Sequence, residues 1–141
     1  MTQITEKIWI GNSMDEFLAD VDAILNVAQD LQCTRGWRGG VEYMQTGLID
    51  GPGNLLSAYY AAVLALSSLV SRHKRVLVCC HTGSRAIAVV MMHANVDSRR
   101  GWEACLEVIS ERVDERLPTP NPVHRTAFER LNWTLLTEVT R

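Results

Sequence analysis

The stretch Arg75-Val-Leu-Val-Cys79-Cys80-His81-Thr82-Gly83-Ser84-Arg85-Ala-Ile-Ala-Val-Val-Met-Met92 decides how the chain is read. Val76-Leu77-Val78 is a short apolar run rich in β-branched residues, and it predicts a buried strand. Ala86 to Met92 is apolar, has no Gly or Pro, and predicts a buried helix. A strand that feeds a tight loop at a helix N-terminus gathers backbone N–H groups and the positive end of the helix dipole, and both favour an anion. A cysteine in that position has its thiolate favoured by the same field, and the thiolate is the reactive form. Arg85 adds a planar, permanently charged fork that suits the oxygens of a phosphoryl group. Thiol, anion cradle and guanidinium together point to cleavage of a phosphate ester through a phospho-cysteine.

This stretch resembles the phosphate-binding loop of the cysteine-dependent protein tyrosine phosphatases, closest to the dual-specificity subfamily. The family pattern is His-Cys, five residues with a Gly third after the Cys, Arg, and then Ser or Thr. Two registers are open. Counting back from Arg85 across five residues gives Cys79, whereas Gly83 stands third after Cys80. Gly at that place lets the backbone turn tightly with no side chain against the phosphoryl oxygens. Successive strand side chains point to opposite faces, so Cys79 and Cys80 do not both enter one cradle. The reading adopted is Cys80 as nucleophile in a loop shortened by one residue, with Cys79 as the alternative nucleophile. His81, Thr82, Gly83, Ser84 and Arg85 are then the expected phosphate-binding residues. The chain departs from the pattern in two places, since no His precedes the nucleophile in either register and Ala86 replaces the hydroxyl after the Arg. Adjacent cysteines ending a buried strand also describe simple packing. The strand–loop–helix context, rather than the Cys-to-Arg spacing alone, carries the chemical reading.

The 141 residues are enough for one domain with its own core, and residues 1–141 are expected to form a single catalytic domain. A hydrophobic fraction of 47% and a charged fraction of 21% are those of an ordinary globular chain. The formal net charge of -2 argues against a general nucleic-acid or anionic-membrane binder. Four cysteines, two of them adjacent, give neither a disulfide framework nor a Cys-x2-Cys metal spacing, so no metal and no cofactor is expected. Met1 to Lys7 lacks the apolar core of a secretory leader. The run from Leu55 to Val70 is interrupted by Ser57, Ser67 and Ser68 and falls short of the roughly 20 apolar residues a membrane span needs. A reducing, cytoplasmic setting is expected, in which a thiolate persists.

Along the chain, Ile4 to Ile10 predicts a strand pair ending at Gly11-Asn12, and Asp15 to Ala19 a short helix. Ala23 to Ala28 is a near-continuous apolar run that suits a strand covered on both faces, with Asn26 as a satisfied buried amide. Cys33 to Gly40 reads as a loop, and Val41 to Ile49 as a strand leading into the turn-dense Asp50-Gly51-Pro52-Gly53. Asn54 is the expected N-cap of a long helix from Leu55 to His73. Trp102 to Val113 predicts a helix with Trp102, Cys105, Leu106 and Ile109 on one stripe, and Arg99, Arg100 and Arg112 as a solvated face. After the proline-rich Leu117 to Pro122, His124 to Val139 predicts a last helix with Phe128, Leu131, Leu135 and Leu136 inward.

The resemblance extends over nearly the whole chain, including the Ile-Leu-Asn-Val-Ala strand and the Pro-Asn-Pro at 120–122. It implies that Asp50, thirty positions before Cys80, is the acid that protonates the leaving oxygen, and that the Asn121 side chain braces the phosphate loop from behind. An alkoxide or phenolate leaves poorly without such a proton; Asp is equally a common first residue of a turn. The expected fold is α/β, with a central, mostly parallel sheet of four or five strands and helices on both faces. The expected activity is hydrolysis of phosphotyrosine, and also phosphoserine or phosphothreonine, in a phosphorylated protein substrate. A phosphate-binding module without turnover, and a phosphatase of RNA 5′ ends or inositol lipids, are the alternatives.

Overall fold

The computed structural model describes residues 1–15, 20–31 and 40–140. Five strands form one sheet: β1 Thr2–Gln3, β2 Ile8–Gly11, β3 Ala23–Ala28, β4 Glu42–Leu48 and β5 Val76–Cys79. Their spatial order is β1-β2-β5-β3-β4. β1 runs antiparallel to β2, and the remaining pairs are parallel. The short run Val-Leu-Val-Cys lies at the centre because each of its residues is apolar and fully enclosed. It pairs Val78 with Ile10 on one side and with Leu25 on the other. All six residues of β3 are buried as well, the signature of a strand with both faces covered.

Asn26 is the one amide in that strand, and the structure satisfies it. Its Nδ2 donates to the Leu31 carbonyl at 2.7 Å and to the Tyr43 hydroxyl at 3.0 Å, while its Oδ1 accepts the Ala28 N–H at 2.9 Å. The amide thus steadies the chain where it leaves the sheet, at a shift in the β3–β4 register.

Among the described residues there are five helices: α1 Leu56–Arg72, α2 Ser84–Ser98, α3 Trp102–Glu111, α4 Val123–Arg130 and α5 Trp133–Thr140. All five contribute to the large apolar core, together with Ile8, Ile10, Leu25, Val76 and Val78. α2 sits in the middle of this layer, buried without a break from Ser84 to Met92. The other face of the sheet carries a smaller cluster of Val21, Ile24, Leu77 and Cys79, with Trp9, Val41 and Tyr43 packed against it. Most of the helix expected at Asp15 to Ala19 and of the loop expected at Cys33 to Gly40 lies outside the described residues.

Three local expectations change. The single helix predicted from 124 to 139 is two helices, because Leu131 turns extended (ψ 141°) and Asn132 begins a new one. The Asn132 side chain accepts the Leu135 N–H at 3.0 Å, as an N-cap does, and its own N–H donates to the Tyr60 hydroxyl at 2.6 Å. Leu135 is consequently exposed, whereas Phe128, Leu131 and Leu136 are buried as expected. Asn54 is not the cap of α1: Leu55 holds that position without a side-chain bond. Arg99 is more than a solvated residue, since it closes α2 in the left-handed region (φ 52°) and donates to Thr134 and Thr137 of α5.

Candidate active site

The parallel strands β2, β3, β4 and β5 all present their C-terminal ends to the same edge, where open α/β sheets gather ligands. β5 runs out there into Cys80. The alternation of the strand separates the two cysteines: Cys79 joins Leu77 in the smaller cluster, and Cys80 joins Val76 and Val78 on the helix side. Of the two thiols, Cys80 is therefore the one that faces the start of α2.

The loop closes on Cys80. Gly83 is the N-cap of α2, with φ 94°, and its N–H donates to the Cys80 sulfur at 3.1 Å. Glycine is required here twice over. A side chain would be strained at that φ, and an added Cβ would lie 2.6 Å from Cγ of Pro118. The sulfur thus sits under the first N–H groups of a helix whose dipole favours negative charge.

Arg85 lies in the first turn of α2 and is 4% exposed. Its Nη1 donates to the Leu48 carbonyl and to Asp30 Oδ1, both at 2.9 Å. Its Nε is buried and has no acceptor among the described residues. A buried donor left unsatisfied is costly and uncommon, so this one points to an anion as its missing partner. Asp30 follows β3 and also lies 3.4 Å from His81 Nε2. The hydrogen bond from Arg85, with its charge and that of His81, holds the Asp30 carboxyl below the usual carboxylate range.

Asp50 follows β4 and meets the loop from the side. Its Oδ1 accepts the Ser84 hydroxyl at 3.1 Å and lies 3.1 Å from Nε2 of His124, which is fully buried. The Nδ1 of His124 lies 2.7 Å from the Tyr59 hydroxyl, which in turn accepts Asn54 Nδ2 at 3.1 Å. Burial pushes the His124 imidazolium down from its ordinary value, with the Asp50 carboxylate opposing that shift. Asn121 reaches both parts of the site. Its backbone N–H donates to Ser84 Oγ at 2.9 Å, and its Nδ2 donates to the Asp50 carbonyl at 3.1 Å. The brace on the 80–85 loop thus comes from the main chain of residue 121 and not from its side chain as expected, because the side-chain amide is taken by the Asp50 carbonyl and holds the Asp50 loop instead.

Cys80, Gly83, Ser84, Arg85, Asp50 and Asn121 come together at this edge; His81 and Thr82 form the exposed tip of the loop, and Cys79 stands apart. Asp30, Asn54, Tyr59 and His124 belong to the constellation although the sequence names none of them as a site residue, Asn54 being expected only as a helix cap. Asp30 and His124 carry no local signal, because each acts on a residue more than fifty positions away.

No family model and no curated protein sequence matches the chain. Solved structures match it over nearly its full length. DUSP15 superposes with a TM-score of 0.78 at 19% identity, covering 100% of this chain and 92% of that one. Human DUSP28 gives a TM-score of 0.74 at 16% identity, covering 98% and 96%. OH1 from the Orf virus, a tyrosine phosphatase described as having triple substrate specificity, gives 0.71 at 22% identity, covering 91% and 83%. The fold is that of the dual-specificity phosphatases.

Proposed function

We propose that the chain is a cysteine-dependent phosphatase that acts on phosphotyrosine, and also on phosphoserine or phosphothreonine, in phosphorylated proteins. The observation that carries this reading is the buried Arg85 guanidinium, on the same short loop that wraps the Cys80 sulfur, whose Nε lacks an acceptor among the described residues. The Cys80 thiolate attacks phosphorus, forming the S–P bond as the bond to the leaving oxygen breaks. Loop amides from His81 to Arg85 and the guanidinium take the charge of the equatorial oxygens. Asp50 gives its proton to the leaving oxygen. As a carboxylate it then takes a proton from the water that attacks the phospho-cysteine, releasing phosphate and restoring the thiolate. The reaction so written uses no metal or cofactor, and a reducing, cytoplasmic compartment suits its thiolate.

A phosphate-binding module without turnover has one observation in its favour. Only four residues separate Cys80 from Arg85, so the loop offers one amide fewer than its relatives' pattern. Retention of the thiol, the guanidinium and the acid favours the enzyme, because a binder needs no thiol.

The test is hydrolysis of p-nitrophenyl phosphate in the presence of EDTA by wild type, Cys80→Ser and Cys79→Ser. Turnover abolished by Cys80→Ser and retained by Cys79→Ser is the expected result. The reverse pattern would move the nucleophile to Cys79. Vanadate binding with no turnover by wild type would leave the binding module.

A further inference from the structure

Two hydrogen-bond chains end on a single oxygen of Asp50, and the direction of each is fixed by backbone groups. Asn54 begins the first. Its Oδ1 accepts the Ile49 N–H at 2.8 Å and its Nδ2 donates to the Ile49 carbonyl at 2.8 Å, so the amide has only one orientation. Nδ2 is therefore the group that faces the Tyr59 oxygen, and Tyr59 accepts there. Its own proton is then free for His124 Nδ1, 2.7 Å away. With Nδ1 an acceptor, the proton of the neutral imidazole stands on Nε2, which donates to Asp50 Oδ1. The second chain begins at the Asn121 N–H, a donor only. It donates to Ser84 Oγ, and the Ser84 hydroxyl in turn donates to the same Oδ1.

Resting on the proposed phosphatase chemistry, we infer that His124, oriented by Tyr59 and Asn54, is the positioning residue for Asp50: it holds Oδ1 so that Oδ2 carries the proton to and from substrate. A carboxyl with one oxygen taken by two donors carries its proton on the other. A proton held at a fixed place is what transfer to a leaving oxygen requires. The groups facing His124 are Asp50 from the loop after β4, Tyr59 from α1 and Arg85 from α2. Tyr59 is itself buried, which pushes its phenol up and keeps it a neutral donor. Protonation of His124 at low pH would put a cation beside Asp50 and leave two protons competing for the Tyr59 contact. The arrangement therefore works with a neutral imidazole.

The test compares His124→Phe, His124→Gln and Tyr59→Phe on a series of aryl phosphates, with Asp50→Asn as reference. Gln carries an N–H donor near the place of Nε2, and Phe carries none. His124→Phe is expected to lose roughly tenfold or more in kcat on poor leaving groups and far less on activated ones, with KM for vanadate-competable substrate little changed. His124→Gln should recover most of that loss, and adding His124→Phe to Asp50→Asn should cost little more. Equal loss across the leaving-group series, or a folded His124→Gln as impaired as the Phe variant, would overturn the assignment. A second readout needs no turnover: nitrogen-15 spectra of the wild-type protein should show His124 as the Nε2–H tautomer, and Tyr59→Phe should disturb it. The Nδ1–H tautomer in wild type would overturn the inference even in an active enzyme. The expected tautomer in a protein without turnover would instead count against the phosphatase reading.

Discussion

Arg85 does three things with one guanidinium, and that defines what no other side chain can replace. Nη1 is committed to the Leu48 carbonyl and the Asp30 carboxylate, which aim the fork, and in the proposed reaction Nε is left for the phosphoryl group. A lysine ammonium is a single point of charge and cannot occupy both places. Arg85→Lys is therefore expected to lower kcat/KM for p-nitrophenyl phosphate by about 100-fold or more, the scale of losing one transition-state donor. Rates near those of wild type, with unchanged thermal stability, would remove the guanidinium from phosphoryl binding. The separation of Cys79 from Cys80 was legible in the sequence because alternation along a strand is a local rule that the surroundings rarely override. The partners of Arg85 were not, because Asp30 and Leu48 reach it through the folding of the sheet.

Between elements, two contacts set what the loop and the sheet tolerate. Gly83 joins β5 to α2 in the left-handed region, with Pro118 at the distance a Cβ would occupy. Gly83→Ala is expected to cost on the order of 1–3 kcal/mol and to weaken vanadate binding, since either the loop or the 117–122 segment must move. Unchanged stability and binding would show that the turn has more room than the distances indicate. At the far end of the sheet, Glu42 opens β4 and takes hydrogen bonds from Arg72 and His73 at the end of α1. Arg72 above all, and His73 after it, hold the Glu42 carboxyl down at about 2. Its folded value lies below its unfolded one, so its contribution is complete above about pH 4.5 and disappears as the pH falls towards 2. Melting temperature should fall more steeply over that window in wild type than in Glu42→Gln, and parallel curves would remove the pair from the stability of the fold. The helix boundaries show where pattern reading stops. Apolar spacing runs unbroken across Asn132, so it predicted one helix, while the capping preference of Asn at that position split it in two.

For the molecule as a whole, the sheet order follows from composition. The enclosed runs at β3 and β5 are the most apolar and lie side by side, and the more polar β4 takes an edge. The strand–loop–helix at 75–92 was legible for the same reason, since its elements are contiguous. The chain from Asn54 through Tyr59 and His124 to Asp50 was hidden, because four separate positions have to be folded before any of them shows its role. The enclosure of Cys80 also governs how its thiol meets a labelling reagent. A thiol that is 1% exposed at rest meets a reagent only when the loop above it opens, so its alkylation rate is a clock for that opening. Cys105 supplies the slow background, since burial pushes its thiol up to about 11. With Cys33 replaced by Ser, iodoacetamide should modify Cys80 first, and vanadate should slow the clock; labelling of Cys79 at the same rate, read by peptide mass spectrometry, would mean that the sheet and not the loop is what breathes.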